Sequence, residues 1–320
     1  MKQYDVAALG ELLVDLTQNG VSEQGNKLFE ANPGGAPANV LAMLRKCGKT
    51  CAFIGKVGQD SFGDMLEKTV QEAGIDVRGL RRDAAVPTTL ALVHTFPNGD
   101  RDFSFYRKPG ADIMLRVDEL DRELLENCRI FHFGTLSLTD EPCRSATVEA
   151  LRLAKESGAL ISFDPNLREP LWPSLDAAKE QIAWGLARAD IVKISDNEIL
   201  CMTGEEDFDK AAAILLGQYP NIRLLDVTAG ALGSFSYCGE LRAFEPGCKL
   251  GGVIETTGAG DTFCASVLNF VLEHGLDALT EADLHAMLRF ANYAAYIVTT
   301  RRGAIRSMPE RAQVEALLNR

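Results

Sequence analysis

At residues 255–263 the chain reads Glu255-Thr256-Thr257-Gly258-Ala259-Gly260-Asp261-Thr262-Phe263, and this stretch does most to decide the fold. Apolar residues recur at helical spacing after it, at positions 263, 267, 270 and 271, so the glycines mark the start of a buried helix. Backbone N–H groups at a helix start are unpaired and partially positive, which suits a bound phosphate. Glycine would let that phosphate come close to the backbone, with the Asp261 carboxylate beside it.

Two interpretations of this stretch are open from the local pattern. In the first, Gly258 and Gly260 form a plain turn, and Asp261 is a favourable negative charge in the first helical turn. In the second, Asp261 accepts a proton while a phosphoryl group arrives at the backbone N–H groups. The rest of the chain has to decide between them.

The length allows one large α/β domain or one domain plus a small accessory piece, and the composition is ordinary for a globular protein. The chain has 320 residues, of which 46% are hydrophobic, and a net charge of −12, which argues against a nucleic acid or an acidic membrane as partner. None of the eight cysteines forms a Cys-x-x-Cys pair, so free thiols in a reducing, cytoplasmic compartment are expected. The N-terminus lacks a signal-peptide pattern, and no apolar run reaches membrane-spanning length.

Short apolar runs alternate with helical patterns along most of the chain. This alternation predicts a mostly parallel, Rossmann-like sheet with helices on both faces. Strands are predicted at 6–9, 51–54, 130–133, 160–163, 191–194 and 224–227. Helices are predicted at 36–47, 62–73, 143–156, 177–186 and 209–216; towards the C-terminus the predicted strands stop and helices follow at 282–299 and 309–318.

Two regions interrupt the alternation. Strand-like pieces at 13–20 and 27–30 lie early, and pieces at 90–96 and 101–107 flank the turn Pro97-Asn98-Gly99-Asp100, in which Asn-Gly is a strong hairpin signal. No helix intervenes, so a small antiparallel sheet is expected, formed by about 13–33 and 87–111 within a single domain of residues 1–320. A sheet in this position suits a lid that closes over a ligand and excludes water.

A second glycine turn runs into a helix at Pro33-Gly34-Gly35-Ala36-Pro37-Ala38-Asn39-Val40. Its glycines permit a small ligand to approach, and Asn39 can both donate and accept hydrogen bonds. Asp15 follows the first strand at the sheet edge where ligands bind in open parallel sheets. Together the two side chains could bind the hydroxyls of a sugar; the alternative is that Asn39 caps or packs and Asp15 is solvated.

The two glycine motifs resemble the two signatures of the ribokinase-like, or phosphofructokinase-B, family of sugar kinases. The similarity covers nearly the whole chain, with both signatures in the expected order. Stretches at 53–60, 105–107 and 131–134 resemble the fructokinase branch in particular, as does the more specific Asp164-Pro165-Asn166-Leu167-Arg168-Glu169-Pro170-Leu171-Trp172. The resemblance implies a ribokinase-like fold and ATP-dependent phosphorylation of a sugar, with fructose to fructose 6-phosphate as the expected reaction and Mg²⁺ carried by the nucleotide.

The resemblance also implies roles for individual residues. Asp261 matches the general base, and the N–H groups of Gly258, Ala259 and Gly260 match an anion hole. Sugar-binding positions are matched by Asp15, Gly34, Gly35, Asn39, Tyr106, Arg107 and Arg168. ATP-binding positions are matched by Lys193, Ser195, Glu198, Thr228, Gly230, Gly233 and Asn292, with Glu198 also linked to Mg²⁺ through water.

One position departs from the family pattern. Many members carry Asp before the two threonines, where this chain has Glu255. In relatives this position helps to form a monovalent cation site, which here would involve Thr257 and Ser307 near Gly303 and Ala304. Because Glu is longer by one methylene, either the geometry shifts or the cation dependence changes; K⁺ is the expected ion.

Several alternatives share part of this pattern. Kinases for 2-keto-3-deoxygluconate, ribose, other ketoses or a riboside have the same core motifs. A non-catalytic sugar-binding relative should show damage at the base or the anion hole, and both are intact here. A dehydrogenase is disfavoured because no Gly-x-Gly-x-x-Gly follows the first strand. Exposed edges of the lid would favour a homodimer formed through it.

Overall fold

A computed structural model describes residues 2–95 and 101–319 of the chain. The strands within these residues are β1 (Tyr4–Leu9), β2 (Leu13–Val21), β3 (Lys27–Gly34), β4 (Cys51–Gly58), β5 (Asp76–Asp83), β6 (Leu90–Thr95), β7 (Arg101–Tyr106), β8 (Cys128–Gly134), β9 (Leu160–Asp164), β10 (Ile191–Ser195), β11 (Leu224–Thr228), β12 (Gly233–Cys238) and β13 (Leu241–Pro246). The α-helices are α1 (Ala36–Lys46), α2 (Ser61–Glu72), α3 (Arg122–Glu126), α4 (Cys143–Glu156), α5 (Leu175–Leu186), α6 (Asp196–Thr203), α7 (Phe208–Gln218), α8 (Ala259–His274), α9 (Glu281–Thr299) and α10 (Arg311–Leu318).

The main sheet runs in the order β13-β12-β11-β10-β9-β8-β1-β4-β5. The strands from β11 to β5 pair in parallel, and β12 and β13 are added antiparallel at one edge. The predicted mostly parallel sheet with helices on both faces is therefore confirmed. No helix in the described part of the chain combines the length and the apolar character needed to cross a bilayer.

Two hydrophobic layers, one on each face of the main sheet, form the core. One layer includes side chains of α1, α2, α8 and α9, and the other includes side chains of α4, α5 and α7. In the second layer Phe133 and Phe163 are fully buried with ring centroids 4.9 Å apart. Burial of each such ring contributes about 1.5–3 kcal/mol to stability. This rigid body sets the positions of the strand ends and helix starts at the site.

Four strands form the small sheet, in the order β3-β2-β6-β7. Its outer pairs are antiparallel, as predicted, but β2 and β6 pair in parallel. The cause is that β2 follows β1 and β6 follows β5, and these two strands run in the same direction through the main sheet. The predicted turn at 97–100 lies outside the described residues.

Three strands and two helices were missed by the sequence patterns. β5 contains three arginines and lies half-buried at the sheet edge, so it lacks an apolar run. β12 alternates aromatic residues with Ser234 and Ser236, a strand pattern that was overlooked because the run is short, and both serines are fully buried. β13 completes that hairpin and ends at Pro246, so only helices follow it in the described chain, as predicted. α3 and α6 are too short for a clear helical period.

Asp226 is a buried carboxylate in the middle of β11. It is paired with Ser236 on β12, but neither the Asp226 oxygens nor the Ser236 hydroxyl has a hydrogen-bond partner of ordinary geometry. Burial raises the pKa of Asp226 to about 7. The unfolded chain releases this proton near pH 4, whereas the folded chain keeps it up to about pH 7. The contribution of Asp226 to the free energy of unfolding is therefore expected to fall as the pH rises from about 4 to about 7.

We expect Asp226→Asn to unfold at a higher temperature than the parent at pH 8, because the amide keeps the shape of the carboxyl group and carries no buried charge. Each kcal/mol gained in the free energy of unfolding raises the Tm by roughly 2 °C in a chain of this size. Thermal unfolding followed by circular dichroism at pH 8 and pH 5 tests this prediction. The advantage should shrink at pH 5; an equal difference at both pH values would contradict the account.

Candidate active site

A cavity of about 1050 Å³ opens where the carboxyl ends of the central strands face the small sheet. Its walls come from residues that end or follow β1, β9, β10 and β11, from β2 and β7 of the small sheet, and from the start of α8. The carboxyl edge of an open parallel sheet is the usual location of a ligand site. The sequence-predicted residues on its surface are Asp15, Gly35, Asn39, Arg168, Lys193, Ser195, Glu198, Thr228, Gly230, Thr257, Gly258, Gly260 and Asp261.

A second cavity of about 360 Å³ adjoins the first through Thr228, Gly230, Thr256 and Gly260. Apolar side chains of α8 and α9 contribute to its walls, as do the predicted residues Gly233, Ala259 and Asn292. The larger cavity is rich in charged groups, whereas this one suits a flat, largely apolar ring. The two together can hold a polar ligand connected to a ring system.

The glycine motif at the start of α8 forms one wall of the larger cavity. Gly258 has φ of 79°, which favours glycine, and a Cβ there would lie 3.1 Å from the Cβ of Ala304. No side chain caps the helix at this end, so its first turn can bind an anion. One of the three predicted amides is partly used, since Ala259 N donates to the Thr256 carbonyl at 3.2 Å.

Asp261 and Asn39 join the two glycine motifs directly. Asn39 Nδ2 donates to Asp261 Oδ2 at 2.7 Å, across 222 residues of sequence. Burial raises the pKa of Asp261, and the Asn39 hydrogen bond and the charges of Lys193 and Arg168 oppose that rise. The side-chain oxygen of Asn39, Oδ1, is buried without a hydrogen-bond partner. A buried acceptor at a cavity wall fits a hydroxyl group of a ligand.

Lys193 places a buried positive charge beside the start of α8. Its Nζ lies 3.1 Å from Asp164 Oδ2, and a Cβ on Gly260 would lie 3.2 Å from the same nitrogen. Burial raises the pKa of Asp164 to about 6 even though Lys193 opposes the shift. Asp164 was not predicted as a site residue, although it begins the stretch that resembles fructokinases.

Glu198 is a buried carboxylate at the nucleotide end predicted from the sequence. Its Oε1 accepts from Leu167 N at 2.7 Å, and its Oε2 accepts from Ser195 N and Oγ at 2.8 and 2.7 Å. Burial alone would raise its pKa, but Lys193 and these hydrogen bonds hold the pKa of Glu198 below its usual value. An ionised carboxylate on the cavity wall fits a water-mediated contact to Mg²⁺.

Two predicted contact residues, Asn292 and Arg107, have their polar groups engaged within the protein, and a third, Tyr106, is largely exposed. Asn292 donates to the Glu245 carbonyl at 3.0 Å and accepts from Ser234 at 2.9 Å, so its amide ties α9 to β12 and β13. Arg107 is buried, with Nε 2.7 Å from Asp112 Oδ2 and Nη2 2.8 Å from the Leu136 carbonyl. Tyr106 is 64% exposed.

Neither Arg107 nor Tyr106 is among the residues on the walls of the cavity. Phe105, next to them in the sequence, is on the wall instead. Gly34 is not on the wall either, but it lies against the Asp15 carboxylate: a Cβ on Gly34 would be 2.5 Å from Asp15 Oδ2. The predicted sugar-binding set is thus divided between wall residues and residues that support the wall.

The Glu255 side chain contacts the segment around Gly303, Ala304 and Ser307, where the sequence predicts a monovalent cation site. Its Oε1 accepts from Gly303 N at 2.8 Å, and Ser307 Oγ donates to the Arg302 carbonyl. The structure therefore brings these residues together, and carboxylate and carbonyl oxygens are suitable ligands for a hard cation. At least one Glu255 oxygen and the Ser307 hydroxyl proton are engaged within the protein.

Residues that were not predicted as site residues also form the cavity. Glu11, Leu13, Leu136 and Asn166 are on its walls. Asn166 has φ of 46°, a left-handed conformation that is uncommon for a residue with a side chain. The position of Glu11, immediately after Gly10 at the end of β1, was a usable signal because strand ends in this fold class face the ligand.

Comparison with known proteins decides the family. The model of the pfkB family carbohydrate kinases matches residues 3–311. The chain belongs to the pfkB family of carbohydrate kinases. The kinase is 42% identical over 310 residues to a probable fructokinase-2 of Arabidopsis thaliana. The aligned region covers 95% of this chain and 92% of that protein.

Solved structures agree with this assignment. A fructokinase with bound ATP from Xylella fastidiosa superposes on the kinase with a TM-score of 0.89 at 30% identity, covering 99% of this chain and 98% of that one. A fructokinase of Vibrio cholerae O395 with fructose, ADP and calcium ion bound gives a TM-score of 0.88 at 30% identity, covering 98% and 99%. The family and the ribokinase-like fold predicted from the sequence are confirmed.

Proposed function

We propose that this kinase is an ATP-dependent fructokinase that converts D-fructose to fructose 6-phosphate. The observation that carries the proposal is the Asn39–Asp261 hydrogen bond of 2.7 Å, which joins a hydroxyl-binding group and a proton acceptor at an uncapped helix start. The named fructokinases among its relatives and structural neighbours support fructose as the acceptor.

The sugar would lie against the end of the cavity formed by Asp15, Gly35 and Asn39. The unpartnered Asn39 Oδ1 can accept a hydrogen bond from a sugar hydroxyl, and the Asp15 carboxylate can accept others. Arg168, also on the cavity wall, would contact the sugar or the phosphates. Arg107 would support this end by donating to the Leu136 carbonyl, and Tyr106 would act as the last residue of β7 rather than through direct contact.

Asp261 would take the proton of the attacking hydroxyl. Asn39 holds Asp261 Oδ2, which leaves Oδ1 for the proton, and the same hydrogen bond favours the ionised carboxylate needed in a base. The amides at 258–260 and the ammonium of Lys193 would stabilise the negative charge on the transferring phosphoryl group. Positioning and charge stabilisation are the main contributions expected in this reaction.

The residues present fit ATP and Mg²⁺. ATP, when bound, would supply the phosphoryl group; Ser195 and the α8 start would hold its phosphates, and the smaller cavity beside Gly233 and Asn292 would hold its base. Mg²⁺ carried by the nucleotide would neutralise phosphate charge, and Glu198 would hold one of its waters. We include K⁺ near Glu255, Thr257 and Ser307 as part of the proposal; potassium titration at constant ionic strength tests it, and unchanged activity would remove it.

The proposal extends to the organisation of the protein. Residues 1–320 would act as one kinase domain, with the small sheet (about 13–33 and 87–111) as a lid. Val21, Leu28 and Phe29 on that sheet are 58%, 48% and 43% exposed, which favours a homodimer formed through the lids. A monomer in light scattering would exclude it. The eight free thiols support a cytoplasmic location.

We expect purified protein with ATP and Mg²⁺ to phosphorylate fructose with a kcat/KM at least about tenfold above that for ribose, 2-keto-3-deoxygluconate or a riboside, since the wrong sugar leaves polar groups of the site unpaired. ADP release measures the rates, and NMR of the product identifies the phosphorylated carbon. Asp261→Asn prepared in parallel controls for contaminating kinases. Fructose turnover no better than ribose turnover would reject the fructokinase assignment.

A further inference from the structure

We propose that Glu11 is a positioning residue for the sugar end of the site: its carboxylate fixes the start of α1, and α1 in turn holds Asn39 against Asp261. This inference rests on the proposed kinase function. It concerns a residue that no motif identified, and it predicts a defect confined to the sugar side of the reaction.

Glu11 supplies a helix cap from outside the helix. It follows β1, is only 4% exposed, and its Oε1 accepts from Ala36 N at 2.7 Å. Ala36 is the first residue of α1, whose N-cap residue is Gly35 and has no side chain to offer, and Pro37 has no N–H. A carboxylate at this end also interacts favourably with the helix dipole.

The two segments are in contact along their backbones as well. A Cβ on Gly35, where φ is 125°, would lie 2.3 Å from the Glu11 carbonyl oxygen. A Cβ on Gly10 would lie 2.7 Å from Pro37 Cγ. With no space between the segments, the carboxylate hydrogen bond fixes where α1 begins relative to the end of β1.

The position of α1 determines where Asn39 lies, because Asn39 is within one turn of the start of the helix. Asn39 lies three residues after Ala36, on the same side of the helix, and donates to Asp261 Oδ2 at 2.7 Å. The Gly35 backbone and Asn39 are both on the cavity wall. Loss of the Glu11 contact would therefore displace a sugar ligand and the partner of the base together. In the described part of the chain, the walls of the smaller cavity contain no residue of α1.

Two substitutions of Glu11 distinguish the effect of its side-chain length from the effect of its negative charge. Glu11→Gln keeps an oxygen at the same distance and removes the charge, whereas Glu11→Asp keeps the charge and is one methylene too short to reach Ala36 N. We expect Glu11→Asp to lower kcat/KM for fructose about tenfold or more, with a raised KM for fructose and a lowered kcat, because small displacements of reacting groups are costly. Its KM for ATP should stay within about twofold, and Glu11→Gln should retain most of the parent's kcat/KM.

Asp207→Ala is the matched control. Asp207 caps α7 by accepting from Lys210 N at 3.0 Å, and α7 contributes no residue to either cavity wall as described. This variant should lose stability without a change in the KM for fructose. Calorimetric titration of each variant with fructose alone provides a readout that does not require turnover, and thermal unfolding confirms that each is folded.

Three results would overturn the inference: Glu11→Asp with parental kinetics, Glu11→Gln as impaired as Glu11→Asp, or equal increases in the KM for fructose and for ATP. Failure of the proposed function is distinguishable, because in that case the parent itself would neither bind nor phosphorylate fructose. If Glu11→Asp does not fold, the comparison of Glu11→Gln with the parent in fructose binding decides, since strong loss there contradicts a role that depends on reach.

Discussion

Asp261→Asn should lower kcat by about 10²–10⁴-fold, the range expected when a general base is removed. The amide cannot take the proton of the attacking hydroxyl at neutral pH. Its oxygen can still accept from Asn39 Nδ2, which is 2.7 Å from the carboxylate in the parent, so the local geometry should persist. The substitution is therefore a test of proton transfer rather than of folding.

Steady-state kinetics with ATP and fructose gives kcat, and calorimetry gives the affinity for each substrate separately. We expect both affinities to remain within a few-fold of the parent. A loss of kcat smaller than about tenfold would show that another group accepts the proton, because a positioned base contributes more than that. Loss of fructose binding would instead assign Asp261 a role in holding the sugar.

Lys193→Met should reduce kcat by about 10²-fold or more, because it removes a positive charge from a buried site next to the transferring phosphoryl group. It also leaves the buried Asp164 carboxylate, 3.1 Å from Lys193 Nζ in the parent, without its partner. Removal of one member of a buried ion pair typically costs about 3–5 kcal/mol of stability. Activity and stability should thus fall together in the single variant.

The pH dependence and a double variant separate these two effects. Burial already raises the pKa of Asp164 to about 6, and loss of Lys193 would raise it further, so the folded variant holds a proton that the unfolded chain releases near pH 4. The stability deficit should therefore grow as the pH rises from 5 to 8. Lys193→Met/Asp164→Asn removes both charges and should recover most of the stability at pH 8, but not kcat. Recovery of kcat would contradict a direct role for Lys193.

Much of the site was predictable because its chemistry follows from local backbone features. The glycine turn before Asp261 and the one before Asn39 each precede an apolar helical run, and a helix start binds anions wherever it occurs. The alternation of strands and helices then predicts that both helix starts meet at one sheet edge. The hydrogen bond between the two side chains is a direct consequence of that geometry.

The remaining features depend on partners that are distant in the sequence. Arg107 was predicted as a ligand contact because residues 105–107 resemble the fructokinase branch, but Asp112 and the Leu136 carbonyl surround its guanidinium. Asn292 lies on the wall of the second cavity, but its amide is used by Ser234 and the Glu245 carbonyl. The hydrophobic periodicity of the sequence does not indicate which polar side chains will form buried hydrogen bonds, because tertiary packing determines their partners.

The 222-residue separation between Asn39 and Asp261 has a consequence for how the kinase is made. During synthesis α1 emerges early, and the apolar side it packs against α8 stays uncovered until most of the chain has left the ribosome. An incomplete chain therefore exposes a hydrophobic, aggregation-prone surface and lacks the catalytic base. Parallel sheets with such distant contacts also fold slowly. Nascent chains that end before residue 259 should depend on chaperones to stay in solution.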